Sequence, residues 1–117
     1  MRWVLGTLTL LLVTQGRADE EWTRTRDVIY GRKYGLAMTM DVFTPKQPNG
    51  AGVVFVVSGG WFSDVRRISP VLAMPLVKHG YTVFAVVHGS QPKFTVPEIV
   101  DDLHRAVRFI RHEAKRF

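Results

Sequence analysis

The sequence predicts an α/β domain with an N-terminal hairpin, one parallel strand–helix–strand unit, a following helix and an incomplete sheet. Residues 53–57 and 82–87 are short runs without polar alternation, which is typical of strands covered on both faces. A helical segment separates the two runs, and a strongly amphipathic segment follows the second one. This alternation of strands and helices favours a parallel sheet with helices on its faces.

Each element has its own local signals. Residues 27–30 are β-prone, residues 31–35 contain two glycines, and residues 36–43 alternate in polarity, which predicts a hairpin after an irregular lead-in over residues 19–25. The segment 44–50, with two prolines and an Asn-Gly pair, breaks the chain before the first buried strand.

The two helices have recognisable ends. Ser69 and Pro70 begin the first helix, Gly80 ends it, and Pro75 predicts a kink or a late start. The second helix begins at the capping box formed by Thr95 and Glu98. Apolar residues then recur every three or four positions, at Ile99, Leu103, Ala106, Val107 and Ile110.

Composition excludes several classes of function. The 117 residues contain no cysteine, which rules out disulfides, thiolate metal sites and a thiol nucleophile, and we expect no metal and no cofactor. The net charge of +6 raises the question of nucleic-acid binding. The second helix carries a cationic outer face with Arg105, Arg108 and Arg111, but the sequence has no groove-reading module, so a solvated helix face is favoured and no nucleic-acid partner is expected.

Residues 1–18 have the pattern of a secretory signal peptide. Arg2 precedes an apolar run from Trp3 to Thr14, and Gly16 and Ala18 place small residues before a cut after Ala18. The run is shorter than the roughly 20 residues that span a bilayer. We therefore expect residues 19–117 to be secreted or periplasmic, with no stable membrane anchor after cleavage.

A glycine-rich turn follows the first buried strand. Ser58, Gly59, Gly60 and Trp61 lie where backbone N–H groups can converge on an oxyanion. The turn lacks the spacing of a phosphate-binding or dinucleotide-binding loop. A plain tight turn remains open on spacing alone.

Residues 27–117 resemble the N-terminal part of an α/β-hydrolase of the esterase/lipase type, in particular the secreted bacterial group similar to feruloyl and acetyl-xylan esterases. The family's oxyanion-hole strand ends in His-Gly-Gly-Gly-Trp, and Val57-Ser58-Gly59-Gly60-Trp61 matches it with the histidine and first glycine replaced. Residues 36–45 resemble the family's second strand, and residues 79–83 its helix-to-strand junction. Residues 94–107 resemble the helix before the nucleophile strand.

The resemblance implies which residues form the site. Gly59, Gly60 and Trp61 would form the oxyanion hole, with Ser58 and Phe62 beside it. His88 is a further candidate for a place near the substrate, because it follows the second buried strand at the edge where α/β sheets bind ligands. A Gly-x-Ser-x-Gly elbow is missing, so none of the four serines is expected to be the nucleophile. The nucleophile, the acid and the catalytic histidine are expected beyond Phe117, in a larger domain of which residues 19–117 are the N-terminal part.

The function implied is serine-dependent hydrolysis of carboxylic esters by the full-length form, on a small ester or an acylated polysaccharide. This chain would supply the oxyanion-hole region and be inactive alone. A small secreted binding module or pseudoenzyme is the alternative, and the oligomeric state stays open.

Overall fold

The computed structural model describes residues 21–117, so the predicted signal peptide lies outside the described residues. Four strands form one mixed sheet in the order β1-β2-β4-β3. Their bounds are Trp22–Lys33 (β1), Leu36–Pro45 (β2), Gly52–Val57 (β3) and Thr82–Val87 (β4). Two α-helices, Pro70–Val77 (α1) and Val96–His112 (α2), and two 3-10 turns, Val65–Arg67 and Ala114–Arg116, complete the fold. The α/β class, the hairpin and the open sheet predicted from the sequence are confirmed.

The hairpin of β1 and β2 closes through a two-residue turn. Tyr34 and Gly35 have φ angles of 50° and 73°, the left-handed pair that matches the twist of the flanking strands. The expected irregular lead-in is wrong from residue 22 onward, because β1 begins at Trp22, which pairs with Pro45. A strand at a sheet edge tolerates polar residues, so polarity alone did not reveal this extension.

A buried carboxylate stabilises the extended part of β1. Asp27, with a φ of 53°, lies in a bulge between the paired residues Thr25 and Val28. Its N–H donates to Asp41 Oδ1 at 3.1 Å, and Arg24 Nη2 lies 2.6 Å from Asp41 Oδ2. Asp41 is only 4% exposed. This contact joins β1 to β2 at the point where the ladder is irregular.

β3 and β4 run parallel and form the predicted crossover unit with α1 between them. β4 is buried along its length, whereas β3 lies at the edge of the described sheet, with Val54 and Val56 37% and 40% exposed. The expectation that residues 53–57 are covered on both faces is therefore wrong for these residues. An apolar sequence shows that a strand can be covered on both faces. The elements that lie next to the strand in the fold determine how much of its surface is buried.

The helices cover opposite faces of the sheet. α1 packs with the cluster that includes Phe43, Val77 and Val83. α2 packs through Ala106 against the cluster that includes Met40. Because β3 and β4 run parallel between these two helices, their carboxyl ends lie at one shared edge of the sheet.

The predicted capping box of α2 is present. The N–H and hydroxyl of Thr95 both donate to Glu98 Oε2, at 2.8 and 2.9 Å. These hydrogen bonds, the backbone one foremost, lower the pKa of the Glu98 carboxyl. A carboxyl whose pKa is lowered by folding stabilises the protein above its unfolded pKa, and this contribution is lost as the pH falls through the folded pKa.

We therefore expect Glu98→Ala to lower the free energy of unfolding at neutral pH, and expect the difference from wild type to shrink as the pH falls through the lowered pKa of Glu98. Urea unfolding at a series of pH values measures this. Asp101→Ala removes an exposed carboxylate from the same helix and is the control. An equal, pH-independent loss in both variants would contradict the capping role.

Candidate functional site

The predicted site residues lie together at the carboxyl ends of β3 and β4. Val57 and Val87 are paired in the parallel register, so Ser58 and His88 are the first residues past the two neighbouring strand ends. Residues 59–62, which we call the glycine turn, continue directly from Ser58. Ligands of α/β sheets bind at this edge.

The glycine turn is a tight four-residue loop. Gly59 N–H donates to Phe62 O at 2.9 Å, and Phe62 N–H donates to Gly59 O at 3.0 Å. Gly60 and Trp61 have φ angles of 60° and 65°, and the left-handed value is unusual for a tryptophan. Within residues 21–117 the N–H groups of Gly60 and Trp61 donate to no acceptor. The turn thus holds two adjacent free donors at the ligand-binding edge.

His88 links the two strand ends. Its side chain is 4% exposed, with Nε2 2.8 Å from Ser58 Oγ and Nδ1 2.7 Å from Gly89 O. Because a carbonyl oxygen only accepts, Nδ1 carries the proton, and in the neutral ring Nε2 accepts from the Ser58 hydroxyl. The buried imidazole therefore holds the residue from which the glycine turn starts.

Two serines that the sequence placed only in loops complete the link. Ser63 Oγ accepts from His88 N–H at 3.1 Å and donates to the carbonyl of Val57. Ser63 N–H donates to Ser90 Oγ at 2.9 Å, and Ser90 Oγ donates back to Ser63 O at 3.0 Å. Both serines follow shortly after the carboxyl ends of β3 and β4. Their position after these strands was the one feature of the sequence that could have identified them as site residues.

Further contacts hold the segment after β4. Tyr30 Oη donates to Val87 O at 2.6 Å, and burial, followed by the charge of Asp102, raises the pKa of this phenol. Gln91 N–H donates to Trp61 O at 3.2 Å, which joins the glycine turn to the segment after His88.

The surface around the glycine turn is apolar and exposed. Trp61, Phe62 and Val65 are 44%, 52% and 47% exposed. A broad groove lined by residues such as Trp22 and His79 lies at the opposite end of β4, about 20 Å away at the rise of a six-residue strand. The exposed aromatic side chains, and not that groove, adjoin the free donors.

Two of the other histidines lie at helix ends, away from this edge. His79 Nδ1 contacts Pro75 O at the end of α1, and His112 contacts Glu113 at the end of α2. Residues 21–117 contain no group of His, Asp and Glu side chains suited to a metal ion. None of the helices in this range is long and apolar enough to cross a membrane.

The link between the strand ends is testable by a double-mutant cycle. A buried hydrogen bond contributes about 0.5–1.5 kcal/mol, so Ser58→Ala and His88→Ala should couple by about 1 kcal/mol in the free energy of unfolding. Urea denaturation of both single variants and the double variant gives this energy. Additivity within about 0.3 kcal/mol would show that the bond does not stabilise the fold.

The mixed sheet, the helices on both faces and the loops at the carboxyl edge of residues 21–117 are those of the N-terminal part of an α/β-hydrolase fold. The model of the BD-FAE family matches residues 40–117, which is two thirds of the chain. This protein belongs to the BD-FAE family.

Comparisons with individual proteins show what else the chain is similar to. An uncharacterized protein of Pseudomonas aeruginosa is 29% identical over 123 residues, a match that covers 90% of this chain and 32% of that protein. Esterase B from Lactobacillus rhamnosis has a TM-score of 0.68 at 19% identity, with 86% of this chain and 33% of that chain covered. A truncated form of a carbohydrate esterase from gut microbiota has a TM-score of 0.68 at 23% identity, with 87% and 38% covered. At these identities the solved structures support the fold, and the chain spans about a third of the length of the relatives.

Proposed function

We propose that this chain supplies the oxyanion-binding part of an enzyme that hydrolyses carboxylic esters through a serine nucleophile. The observation that carries the proposal is the pair of free N–H groups on Gly60 and Trp61 at the carboxyl edge of the sheet. Two fixed donors are what the tetrahedral intermediate of acyl transfer needs, because negative charge develops on the former carbonyl oxygen. Membership of the BD-FAE family and the esterases among the structural neighbours support this reaction class.

Each residue of the site has a role in this proposal. The N–H groups of Gly60 and Trp61 stabilise the oxyanion, and the hydrogen bonds between Gly59 and Phe62 hold the turn in shape. The bond from Ser58 to His88 fixes where the turn begins. The exposed rings of Trp61 and Phe62 offer an apolar surface beside the reacting carbonyl.

The nucleophile is assigned outside residues 21–117. Ser58 is the serine in this range that needs the closest test, because its hydroxyl contacts an imidazole nitrogen in the manner of a serine–histidine pair. Its position at the end of β3, with a turn and no helix directly after it, lacks the strand-to-helix elbow of a nucleophile. The nucleophile strand would pair with the open edge of β3, where Val54 and Val56 are exposed.

Fluorophosphonate labelling tests the assignment. We expect the protein expressed from its complete gene to hydrolyse para-nitrophenyl acetate, and expect the probe to block this activity by labelling a serine outside residues 21–117. Mass spectrometry of the digested protein locates the label. We further expect the 117-residue chain by itself to show no turnover. A label on Ser58, or activity of the purified chain that resists the probe, would contradict the proposal.

The substrate we propose is a small ester or an acylated polysaccharide. The carbohydrate esterase among the structural neighbours supports the second class. Release of acetate from acetylated xylan, compared with turnover of para-nitrophenyl acetate, distinguishes the two.

A further inference from the structure

An arginine lies against the glycine turn. Arg67 is the last residue of the 3-10 turn Val65–Arg67, which follows shortly after residue 62. Its Nη1 is 3.2 Å from the point where a Cβ on Gly59 would lie. Gly59 is not among the glycines with a left-handed φ, so its backbone conformation does not require glycine. The missing side chain instead leaves room for the guanidinium beside Gly59, the residue directly before the two free N–H groups.

Within residues 21–117 no hydrogen bond or ion pair holds this guanidinium, although its charge acts on the nearby carboxylate of Asp64. Asp64 is the nearby carboxylate, and Arg66 holds it through Nε at 3.0 and 3.1 Å and through Nη2 at 2.5 Å. The side-chain hydrogen bond to Arg66 is the main reason that the pKa of Asp64 falls to about 2, so Asp64 stays ionised and engaged. Among residues 21–117 no carboxylate or carbonyl accepts a hydrogen bond from the side chain of Arg67.

An exposed guanidinium with a free planar fork is suited to a carboxylate, which it can bind through two parallel hydrogen bonds. Arg67 lies against Gly59, the first residue of the turn that carries the free N–H groups and the exposed rings of Trp61 and Phe62. An ester that places its carbonyl at the turn therefore brings the groups next to its reacting bond close to Arg67.

We propose that Arg67 is a specificity residue that binds a carboxylate carried by the ester substrate close to the scissile bond. This inference rests on the proposed function, because it uses the glycine turn as the place where the ester carbonyl binds. The carboxylate belongs either to the acyl group, as in a half-ester of a dicarboxylic acid, or to the alcohol, as in an ester of an acidic sugar. The chemistry that Arg67 recognises is the same in both.

Non-hydrolysable amides test the proposal without catalysis. The probes are succinanilic acid, with the carboxylate on the acyl side, and para-acetamidobenzoate, with the carboxylate on the leaving-group side, each against its neutral primary amide. Binding to the protein expressed from its complete gene is measured by ligand-detected NMR. We expect wild type to bind one of the two acids about three- to fivefold more tightly than its amide, the size of an exposed ion pair. The acid that is preferred identifies the side of the ester that carries the charge.

Arg67→Gln should bind acid and amide equally. Arg108→Gln removes the same charge from an exposed position on α2 and should keep the wild-type preference. In wild type, raising the salt from about 0.01 M to about 1 M should abolish the preference, because the Debye length falls from about 30 to about 3 Å. Equal binding of acids and amides by wild type, or an unchanged preference in Arg67→Gln, would overturn the inference.

The two proposals fail separately. Turnover of para-nitrophenyl acetate without any charge preference in binding would support ester hydrolysis and contradict the proposed role of Arg67. A charge preference that depends on Arg67, in a protein with no ester turnover, would support carboxylate binding by Arg67 and contradict the proposed ester hydrolysis.

Discussion

In the protein expressed from its complete gene, replacing Gly60 by proline is expected to reduce kcat/KM for ester hydrolysis by about a hundred- to a thousandfold. Proline has no N–H, so the variant loses one of the two free donors of the glycine turn. Its φ near −65° is also incompatible with the 60° that Gly60 adopts. Because an oxyanion donor acts on the charge of the transition state, the loss should fall on kcat more than on KM.

Gly50 offers a matched control for this variant. It also has a left-handed φ, 84°, and a Cβ built on either glycine meets no atom within 4 Å. Gly50→Pro therefore carries a similar backbone penalty, in the loop before β3 and away from the site. Gly60→Ala keeps the N–H and tests the backbone strain alone, which is about 1–2 kcal/mol. Equal kcat/KM values for Gly60→Pro and Gly50→Pro would show that the Gly60 N–H does not stabilise the oxyanion.

The largest expected effect on stability comes from Phe43. This side chain of β2 has no exposed surface. It packs in the cluster under α1, with the Trp22 ring 5.7 Å from its own and the Arg24 guanidinium 5.2 Å above it. Phe43→Ala should lower the free energy of unfolding by about 3–5 kcal/mol, because it removes buried surface and leaves a cavity where β1, β2 and α1 meet.

Phe62 provides the same substitution at an exposed position. Its ring is 52% exposed, and its structural hydrogen bonds to Gly59 come from the backbone, which alanine retains. Phe62→Ala should change the free energy of unfolding by no more than about 0.5 kcal/mol, as expected for a surface substitution. Urea denaturation of both variants measures the difference. Similar losses would mean that Phe43 does not hold β1 and α1 on the sheet.

Much of the fold was predictable because its signals are local. The capping box at Thr95 and the helix end near Gly80 each depend on residues within one turn of chain. The hairpin turn was predicted over residues 31–35, whereas residues 31–33 belong to β1 and only Tyr34 and Gly35 form the turn. The start of β1 at Trp22 was not predictable in this way. It depends on pairing with Pro45 and on the buried contact between Arg24 and Asp41, which lie 17 residues apart.

The candidate site was predicted in part. The glycine turn and His88 were identified because both follow buried strands, and the parallel register brings such positions together. Ser63, Ser90 and Arg67 were not identified. Serines and arginines are common in loops, so only their contacts with His88 and Gly59 reveal what these residues do.

The sequence by itself determined the elements, their order and the edge of the sheet where the glycine turn lies, because strand and helix periodicity, caps and turn residues act over a few positions. The tertiary structure decided which N–H groups of that turn remain free, that His88 holds Ser58, and that the Arg67 guanidinium occupies the space beside Gly59. These features depend on distances between residues from different elements. A hydrogen bond forms only when the fold brings its two groups within about 3 Å, and an ion pair only within about 4 Å.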